Sequence, residues 1–304
     1  RAEAPKPAAV RLEQKTRLAE VEAEIEKLEP MELVQKYTNL FHWAMRQFNN
    51  LEPSIEPTAT GHIVEQIDMI KEIIRAGYAY EVNGNVYFDV KKYAASYEYG
   101  KLSGRVIDEL LTTTRELEGQ GDKRDKADFA LWKAAKPEDE ATGAAWDSPW
   151  GRGRPGWHLE CSAMAMKYLG ETLDIHGGGI DLIFPHHEDE IAQSEGALGH
   201  RVVNVWMHGE FLTLDDAKMA KSSGNIIRTT DLPSKGFDPL DFRYLALTAH
   251  YRSKLDLSLT GGCHARVARG NPAGRLALAH QRRTAARRRA ERGDRARAGA
   301  PRGS

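Results

Sequence analysis

Hydrophobic residues at helical spacing dominate the first part of the chain. Residues 11–28 carry apolar side chains on one stripe, and Pro30 ends the run. Residues 32–49 repeat this spacing with Leu33, Tyr37, Leu40, Phe41 and Met45. A third helix is predicted over residues 62–76, where Gly77 supplies the stop. The pattern therefore predicts three helices before the first strand.

The spacing then changes to that of strands. Residues 78–82 and 85–90 flank Asn83-Gly84, a pair that favours a two-residue turn, so the sequence predicts a β-hairpin. Residues 108–118 fit a further helix. Residues 133–150 lack a regular period, and we expect them to form a long irregular connection.

Helical and strand-like segments alternate after Pro155. We expect a helix, a short strand that stops at three glycines, a second helix and a buried strand, over residues 159–169, 172–176, 187–198 and 202–208 respectively. This order is typical of a parallel α/β layer. The predicted fold class is therefore α/β.

Charge divides the chain more sharply than its net value of −1 indicates. The first 260 residues hold 31 basic and 42 acidic residues, a balance of −11. The last 44 residues hold 12 Arg against Glu291 and Asp294, a balance of +10. This Arg-, Ala- and Gly-rich tail fits a disordered basic arm, an RNA-binding arm or translation in a shifted reading frame, and the third hypothesis is the one favoured here.

Composition also bears on location. The two cysteines, Cys161 and Cys263, exclude a disulfide framework and indicate a reducing compartment. No apolar run approaches the roughly 18 residues of a transmembrane helix, so no membrane association is expected. Residues 1–9 lack the apolar centre of a signal peptide. We therefore expect a cytoplasmic protein.

Three side chains in the second half of the chain are candidate metal ligands. His186 and Glu190 lie four residues apart, so a helix that begins at Pro185 projects both from one face. With Cys161 they offer a thiolate, an imidazole and a carboxylate, which suit zinc. The alternative is a helix N-terminus that carries solvated polar residues, with the cysteine as a small core residue.

Two further segments are candidate binding elements. Gly177, Gly178 and Gly179 follow a strand, and they allow either a close approach of backbone to a ligand or a plain tight turn. Lys218 and Lys221 lie three residues apart on a loop, where they either meet a polyphosphate or face solvent.

Taken together, these segments resemble one family. Residues 153–164 (GRPGWHLECSAM), 174–194 (DIHGGGIDLIFPHHEDEIAQS) and 218–225 (KMAKSSGN) resemble cysteinyl-tRNA synthetases, which are class I enzymes. Three upstream segments look like the inserted connective domain of that family, namely residues 84–90, 100–105 and 123–133. The resemblance covers roughly residues 33–257.

The resemblance implies a domain organisation. Residues 151–257 form the second half of a class I Rossmann-type catalytic domain with the zinc site and signature loop, and residues 56–150 form an inserted α+β connective domain. Residues 1–55 are N-terminal helices left from the first Rossmann half and a linker. Residues 258–304 are a disordered tail.

The resemblance also implies site residues. Cys161, His186 and Glu190 are three of four protein ligands to one Zn²⁺ per chain, which binds the thiol of the substrate cysteine. Trp157 and His176 line the cysteine pocket, and Asp181 holds the substrate ammonium. The alternatives for these last three are a core tryptophan, a strand-end histidine and a helix N-cap.

A nucleotide site follows from the same resemblance. Lys221, with Lys218, is catalytic and neutralises the phosphates of ATP, which arrives with Mg²⁺, and Gly177–Gly179 belong to the ATP-binding segment. Ala220 stands where the family usually has Ser, which keeps both charges. The implied reaction activates L-cysteine to cysteinyl-adenylate and transfers it to tRNA(Cys), in a monomeric ligase.

Two departures from the family limit the activity expected of this chain. The N-terminal cysteine ligand and a His-x-Gly-His signature do not occur in this sequence, and the tail replaces the anticodon-binding region. We therefore expect the 304-residue chain to be an inactive fragment by itself.

Rival interpretations are a related ligase that joins cysteine to an amino-sugar in mycothiol synthesis, a zinc hydrolase and an RNA-binding remnant. The Asp174–Gly177 stretch, with His176, favours the tRNA synthetase.

Overall fold

A computed structural model describes residues 30–105, 120–214, 217–219 and 226–257. The helices predicted over residues 11–28 and 108–118 and the tail from residue 258 lie outside this part of the chain. The chain divides into two compact units. One comprises Glu24–Gln35 and Glu52–Glu210, and the other comprises Arg1–Ala23, Lys36–Leu51 and Phe211–Ser304.

The unit that holds Glu52–Glu210 begins with a helix and a hairpin. Helix α2 (Ile63–Ala76) follows a 3₁₀ turn and ends at Gly77, whose left-handed backbone (φ +87°) is a conformation that glycine adopts without strain. Strands β1 (Ala79–Val82) and β2 (Asn85–Phe88) are antiparallel, and both turn residues between them have positive φ. The predicted hairpin is confirmed.

Strand β2 ends two residues earlier than predicted because a helix cap interrupts it. The Asp89 side chain accepts a hydrogen bond from the Lys92 N–H and starts the short helix α3 (Val90–Ala94). An N-cap whose side chain bonds the backbone two or three residues on favours a turn of helix over continued strand.

The antiparallel sheet has four strands in the order β1-β2-β3-β4. Strand β3 (Phe129–Ala134) pairs with β2, and β4 (Gly153–Pro155) pairs with β3. Between them lies helix α4 (Pro137–Ala141), so the prediction of an irregular connection over residues 133–150 is wrong at its start. The six residues of β3 show no regular alternation, because the consecutive residues Leu131 and Trp132 are both buried, so local pattern did not predict this strand.

The parallel layer follows the antiparallel sheet in the chain. Helix α5 (Trp157–Leu169), strand β5 (Leu173–Gly179), helix α6 (Glu188–Leu198) and strand β6 (Val203–Gly209) alternate as predicted. Strands β5 and β6 pair in parallel, which confirms the α/β layer. The expected burial of β6 is wrong, because Val205 and Met207 are 53% and 43% exposed.

One hydrophobic core joins α2, the antiparallel sheet, α5 and α6. Its largest fully buried side chains include Ile70, Ile73, Phe88, Tyr93, Leu131, Trp132 and Leu159. This core runs across residue 150, where the sequence placed a domain boundary. The boundaries proposed at residues 55, 150 and 257 stay predictions.

The other unit contains most of helix α1 (Pro30–Gln47), helix α7 (Pro239–Thr248) and a small sheet of β7 (Leu212–Leu214), β8 (Ala217–Lys218) and β9 (Leu255–Asp256) in the order β8-β7-β9. Arg243 on α7 donates to the carbonyls of Phe48 and Asn49, each at 2.8 Å. Among the helices in the described part of the chain, none is long and apolar enough to cross a bilayer.

Candidate metal centre

The three predicted ligands come together from two helices. Cys161 lies in the second turn of α5, and Glu190 lies in the first turn of α6. His186 precedes α6 in a π-helical turn over Ile183–His187, rather than in the α-helix itself. One sulfur, one nitrogen and one oxygen from these side chains all lie within 4.8 Å of one another. The structure therefore brings together residues that are 25 and 29 positions apart in the chain.

Glu190 is the buried carboxylate of this site, at 3% exposure. Its Oε1 lies 2.7 Å from Nε2 of His186 but has no hydrogen-bond partner in the described structure. Its Oε2 lies 3.2 Å from Nε2 of His176. A buried carboxylate oxygen without a hydrogen bond is costly unless a cation compensates it. This observation fits a metal between the three side chains, and the mixed sulfur, nitrogen and oxygen donors suit zinc.

The thiol of Cys161 is a ligand that needs a cation to ionise. Burial, with smaller contributions from Glu190 and Glu160, raises the pKa of Cys161 to about 12. The thiol therefore keeps its proton at neutral pH in this apolar and acidic environment. Only a bound cation would make the thiolate the stable form, since metal ligation displaces the proton.

A second group of donors shares Glu190. Donor atoms of His176, His187 and Glu190 lie within 4.8 Å of one another, and Nδ1 of His187 is 2.8 Å from Nε2 of His208. Burial lowers the pKa of His187 to about 3 and also lowers that of His208. These imidazoles are neutral at pH 7, so each can accept as well as donate a hydrogen bond.

The aromatic residues of the site lie at its edge. Trp157 stacks on the His186 ring with centroids 4.4 Å apart, but it is 58% exposed, so it is not the core tryptophan of the alternative interpretation. His176 lies in the middle of β5 opposite Trp206 of β6, with ring centroids 4.6 Å apart, so it is not the strand-end histidine of the alternative interpretation. His176, Trp206 and Glu190 also line a small open pocket between α5, α6 and the parallel strands.

The three glycines continue strand β5 instead of ending it. Gly177, Gly178 and Gly179 pair with Met207, His208 and Gly209 in register. A Cβ on Gly178 would lie 2.7 Å from Cε1 of His187. Glycine at this position therefore allows the buried imidazole to pack against the strand, and the tight-turn alternative is wrong because all three glycines pair with β6.

Asp181 lies exposed in the 3₁₀ turn Ile180–Leu182 that follows β5. The N-cap of that turn is Gly179, so Asp181 is not the cap that the alternative interpretation expected. Lys218 lies on β8, where its backbone pairs with Thr213 and its side chain is not described. Lys221 and Ala220 lie outside the described residues.

The polar run around His186 is buried, contrary to the solvated alternative. All five residues from His186 to Glu190 are at most 5% exposed. Glu188 accepts hydrogen bonds from the backbone N–H groups of Gly100, Leu102 and Ser103 at 2.9–3.2 Å. These acidic side chains therefore hold a loop of the same unit rather than face water.

The sequence analysis did not identify two residues beside the candidate ligands, His158 and Asp189. Nδ1 of His158 lies 2.7 Å from Nδ1 of His186, and Nε2 of His158 lies 3.2 Å from Oδ2 of Asp189. Burial lowers the pKa of His158 to about 4. The only available signal was spacing, since His158 precedes Cys161 by three residues and so lies on the same helix face.

Comparison with known proteins gives a match over most of the chain. The family described as the tRNA synthetases class I (C) catalytic domain matches residues 18–262. The cysteine–tRNA ligase of Bacteroides fragilis is 55% identical over 243 residues, which are 78% of this chain and 49% of the relative. For that of Chlorobaculum tepidum the identity is 52% over 237 residues, 78% of this chain and 47% of the relative. The chain thus spans about half the length of these curated relatives.

One solved structure shows a similar fold. Mycobacterium tuberculosis methionyl-tRNA synthetase in complex with methionyl-adenylate matches with a TM-score of 0.55 and 14% sequence identity. The match covers 81% of this chain and 57% of that one. At this identity the likeness supports the architecture alone.

Proposed function

Because the chain belongs to the family of class I tRNA synthetase catalytic domains, we propose that it is the cysteine-recognising part of a cysteine–tRNA ligase. In this proposal the whole protein uses ATP with Mg²⁺ to activate L-cysteine and transfers the cysteinyl group to tRNA(Cys). The relatives named for that activity share more than half of their aligned residues with this chain. They favour a tRNA ligase over an amino-sugar ligase or a hydrolase.

The observation that carries the proposal is the cation site of Cys161, His186 and Glu190. Its donors are close together, Glu190 Oε1 has no hydrogen bond in the described structure, and the half-buried Cys161 thiol lies near carboxylates. When bound there, zinc would supply a soft electrophilic partner for the thiol of a cysteine substrate. The three side chains would hold the ion, and the Trp157 ring would cover His186 at the outer edge.

This arrangement gives a physical basis for choosing cysteine over serine. A steric pocket separates near-isosteres by only about 10–200-fold, because one atom changes little contact area. A soft site that requires sulfur discriminates more strongly against a hydroxyl. Under this proposal His176, whose Nε2 lies 3.2 Å from Oε2 of Glu190, lines the pocket, and Asp181 holds the substrate ammonium.

The remaining assignments complete the proposal. Lys218 and Lys221 would face the phosphates of ATP on the signature loop, and Gly177–Gly179 would lie near the nucleotide. The protein would act as a cytoplasmic monomer. These assignments follow from the family resemblance and from the positive charge that phosphate transfer chemistry requires.

Binding measurements on the 304-residue chain test the proposal. We expect the chain to bind one Zn²⁺, and the zinc-loaded chain to bind L-cysteine at least 100-fold more tightly than L-serine in isothermal titration. Cys161→Ala should abolish both zinc binding and this preference. Ser162→Ala, at the neighbouring helix position, should keep them. Equal affinity for cysteine and serine in the zinc-loaded chain would refute the proposal.

A further inference from the structure

Glu190 directs its two carboxylate oxygens at different histidines. Oε1 lies 2.7 Å from Nε2 of His186, which belongs to the donor group that includes Cys161. Oε2 lies 3.2 Å from Nε2 of His176, which belongs to the other donor group. Two-metal sites in proteins hold their ions about 3.5–4 Å apart, a spacing that one carboxylate spans with an ion on each oxygen. Oε2 is therefore placed to act as a ligand separately from Oε1.

The donor group on the Oε2 side contains no sulfur. One ligand atom each from His176, His187 and Glu190 lie within 4.8 Å of one another. His187 and Glu190 are buried, at 1% and 3% exposure, and His176 is half-buried. Two imidazoles and one carboxylate are the donor set of non-haem iron(II) sites, and imidazole also suits nickel and copper. This group therefore differs in chemistry from the thiolate-containing group beside it.

The ring of His187 is held in place by two neighbours. Its Nδ1 is 2.8 Å from Nε2 of His208, so its Nε2 is the nitrogen left for a cation. A Cβ on Gly178 would lie 3.1 Å from that Nε2. Because side chains alternate along a strand, position 178 projects to the same face of β5 as His176. Glycine at 178 thus lets His187 approach the face of the strand that carries His176.

A path from solvent leads to the same side chains. His176 and Glu190 line the small open pocket together with Trp206 and Ser194. Three protein ligands leave coordination positions for water, and a metal site also needs an entry path for its ion. The pocket meets both requirements on the Oε2 side of Glu190.

We propose that His176, His187 and Glu190 form a second cation site, which takes a nitrogen-preferring divalent transition metal ion. Apart from the shared carboxylate, the site does not depend on the zinc site of the proposed function. Without a thiolate it holds its ion more weakly than that zinc site does. Its affinities should increase from Mn²⁺ to Co²⁺ to Ni²⁺, the general order for imidazole and carboxylate donors.

Isothermal titration with Ni²⁺ tests the proposal on the full chain with Cys161→Ala and Cys263→Ala. The first change removes the thiolate of the zinc site, so tightly held zinc is lost and the weaker site remains. The second breaks the adjacent cysteine–histidine pair Cys263-His264, which could bind nickel by itself. We expect this double variant to bind one Ni²⁺ per chain, more tightly than Co²⁺ and Mn²⁺.

Two further changes in the same background assign the ligands. His187→Leu removes a direct ligand, so the affinity for Ni²⁺ should fall by more than the roughly 10–100-fold typical of supporting residues. His208→Phe removes only the contact behind that ring and should weaken binding by about 10–100-fold. His200→Leu is the matched control, because this histidine side chain is 45% exposed and belongs to neither donor group. The control should keep nickel affinity within threefold.

His176→Leu is a second ligand variant that changes a half-buried side chain, in case the buried His187 is needed for folding. Far-UV circular dichroism identifies the variants that fold. Absence of nickel binding in the double variant, or nickel affinity within threefold of it in both ligand variants, overturns the inference. The zinc site fails separately: a parent chain that binds no zinc refutes the proposed function, whereas nickel binding that persists in the double variant still supports the second site.

Tight zinc binding by the parent without nickel binding by the double variant refutes the second site alone. The two metals therefore give independent readouts for the two donor groups on either side of Glu190.

Discussion

Helix α6 presents buried carboxylates on two faces that differ in how they are satisfied. On the loop-facing side, Glu188 accepts three backbone hydrogen bonds, and Glu195 accepts from Tyr93 at 2.9 Å and Lys101 at 2.6 Å. On the site-facing side, Glu190 has an oxygen without a hydrogen bond, 2.7 Å from Nε2 of His186. Equal burial therefore serves two purposes: satisfied carboxylates hold the fold, and the unsatisfied one marks a place for a ligand.

Asp189 lies between these two faces and belongs to both. It accepts from Tyr99 of the loop and faces His158 on the side of the site. Through it, the loop that Glu188 fixes is connected to His158, whose ring contacts His186. The comparison thus indicates that the loop at residues 99–103 supports the site as well as the fold.

The largest effect should follow from Glu188→Ala. The change leaves three backbone N–H groups without their charged acceptor, so we expect the free energy of unfolding to fall by about 3–5 kcal/mol in urea titrations. Glu140→Ala is the control, because the Glu140–Arg152 pair is exposed and should contribute far less to stability than Glu188 does. Equal losses in the two variants would contradict the structural role of Glu188.

Glu190→Gln should weaken zinc binding but leave stability nearly unchanged, the opposite of Glu188→Ala. The metal-free chain loses no satisfied hydrogen-bond partner at Oε1, so its free energy of unfolding should change by less than about 1 kcal/mol. Zinc affinity should fall more than the roughly 10–100-fold typical of supporting residues, because a direct ligand is lost. Chelator competition measures the affinity. A variant that is destabilised but still binds zinc as the parent does would reverse the assignment of the two faces.

Lys101→Met should have an intermediate effect on the loop-facing side. Glu195 would keep only the Tyr93 hydroxyl, and we expect a loss of about 1–2 kcal/mol, since the Lys101 side chain is one-third exposed and water screens the pair. Lys101→Arg, which retains the charge, should recover most of this loss. Thermal or urea unfolding of both variants shows whether the charge or the aliphatic stem matters.

Asp128→Asn gives the smallest effect and extends the comparison beyond α6. Asp128 accepts from Tyr80 and from the backbone of Val90 and Asp125, yet burial outweighs these bonds and raises its pKa. The stability that protonated Asp128 contributes is therefore present below its ordinary pKa of about 4 and is lost as pH rises through the raised value. Relative to the parent, the Asn variant should become more stable as pH rises above about 4. A difference that is constant with pH would show that the carboxylate is not disfavoured by folding.

Local pattern predicted much of this molecule. The helices near residues 32–49, 62–76 and 159–169, the Asn83-Gly84 hairpin and the alternation after Pro155 are present within a few residues. The resemblance to cysteinyl-tRNA synthetases is confirmed by the family match and by the curated relatives. The residues Cys161, His186 and Glu190 also come together, although their role as ligands stays a prediction.

The parts that sequence patterns missed depend on contacts between distant residues. Tyr99 and Asp189 are 90 positions apart, and Gly100 and Glu188 are 88 apart. A run such as His186–Glu190 is polar at every position, so its hydropathy predicts exposure. Its burial follows only when the loop at residues 99–103 supplies donors for the carboxylates.

The sequence by itself determined the local elements, the family and the identity of three donor side chains, because these depend on residue type and short spacing. Tertiary structure decided which of the neighbouring carboxylates are satisfied and which one is not. It also decided that Asp189 contacts His158 and that His158 contacts His186. The physical reason is that hydrogen-bond satisfaction belongs to a pair of groups, and folding brings the partners together from opposite ends of the unit.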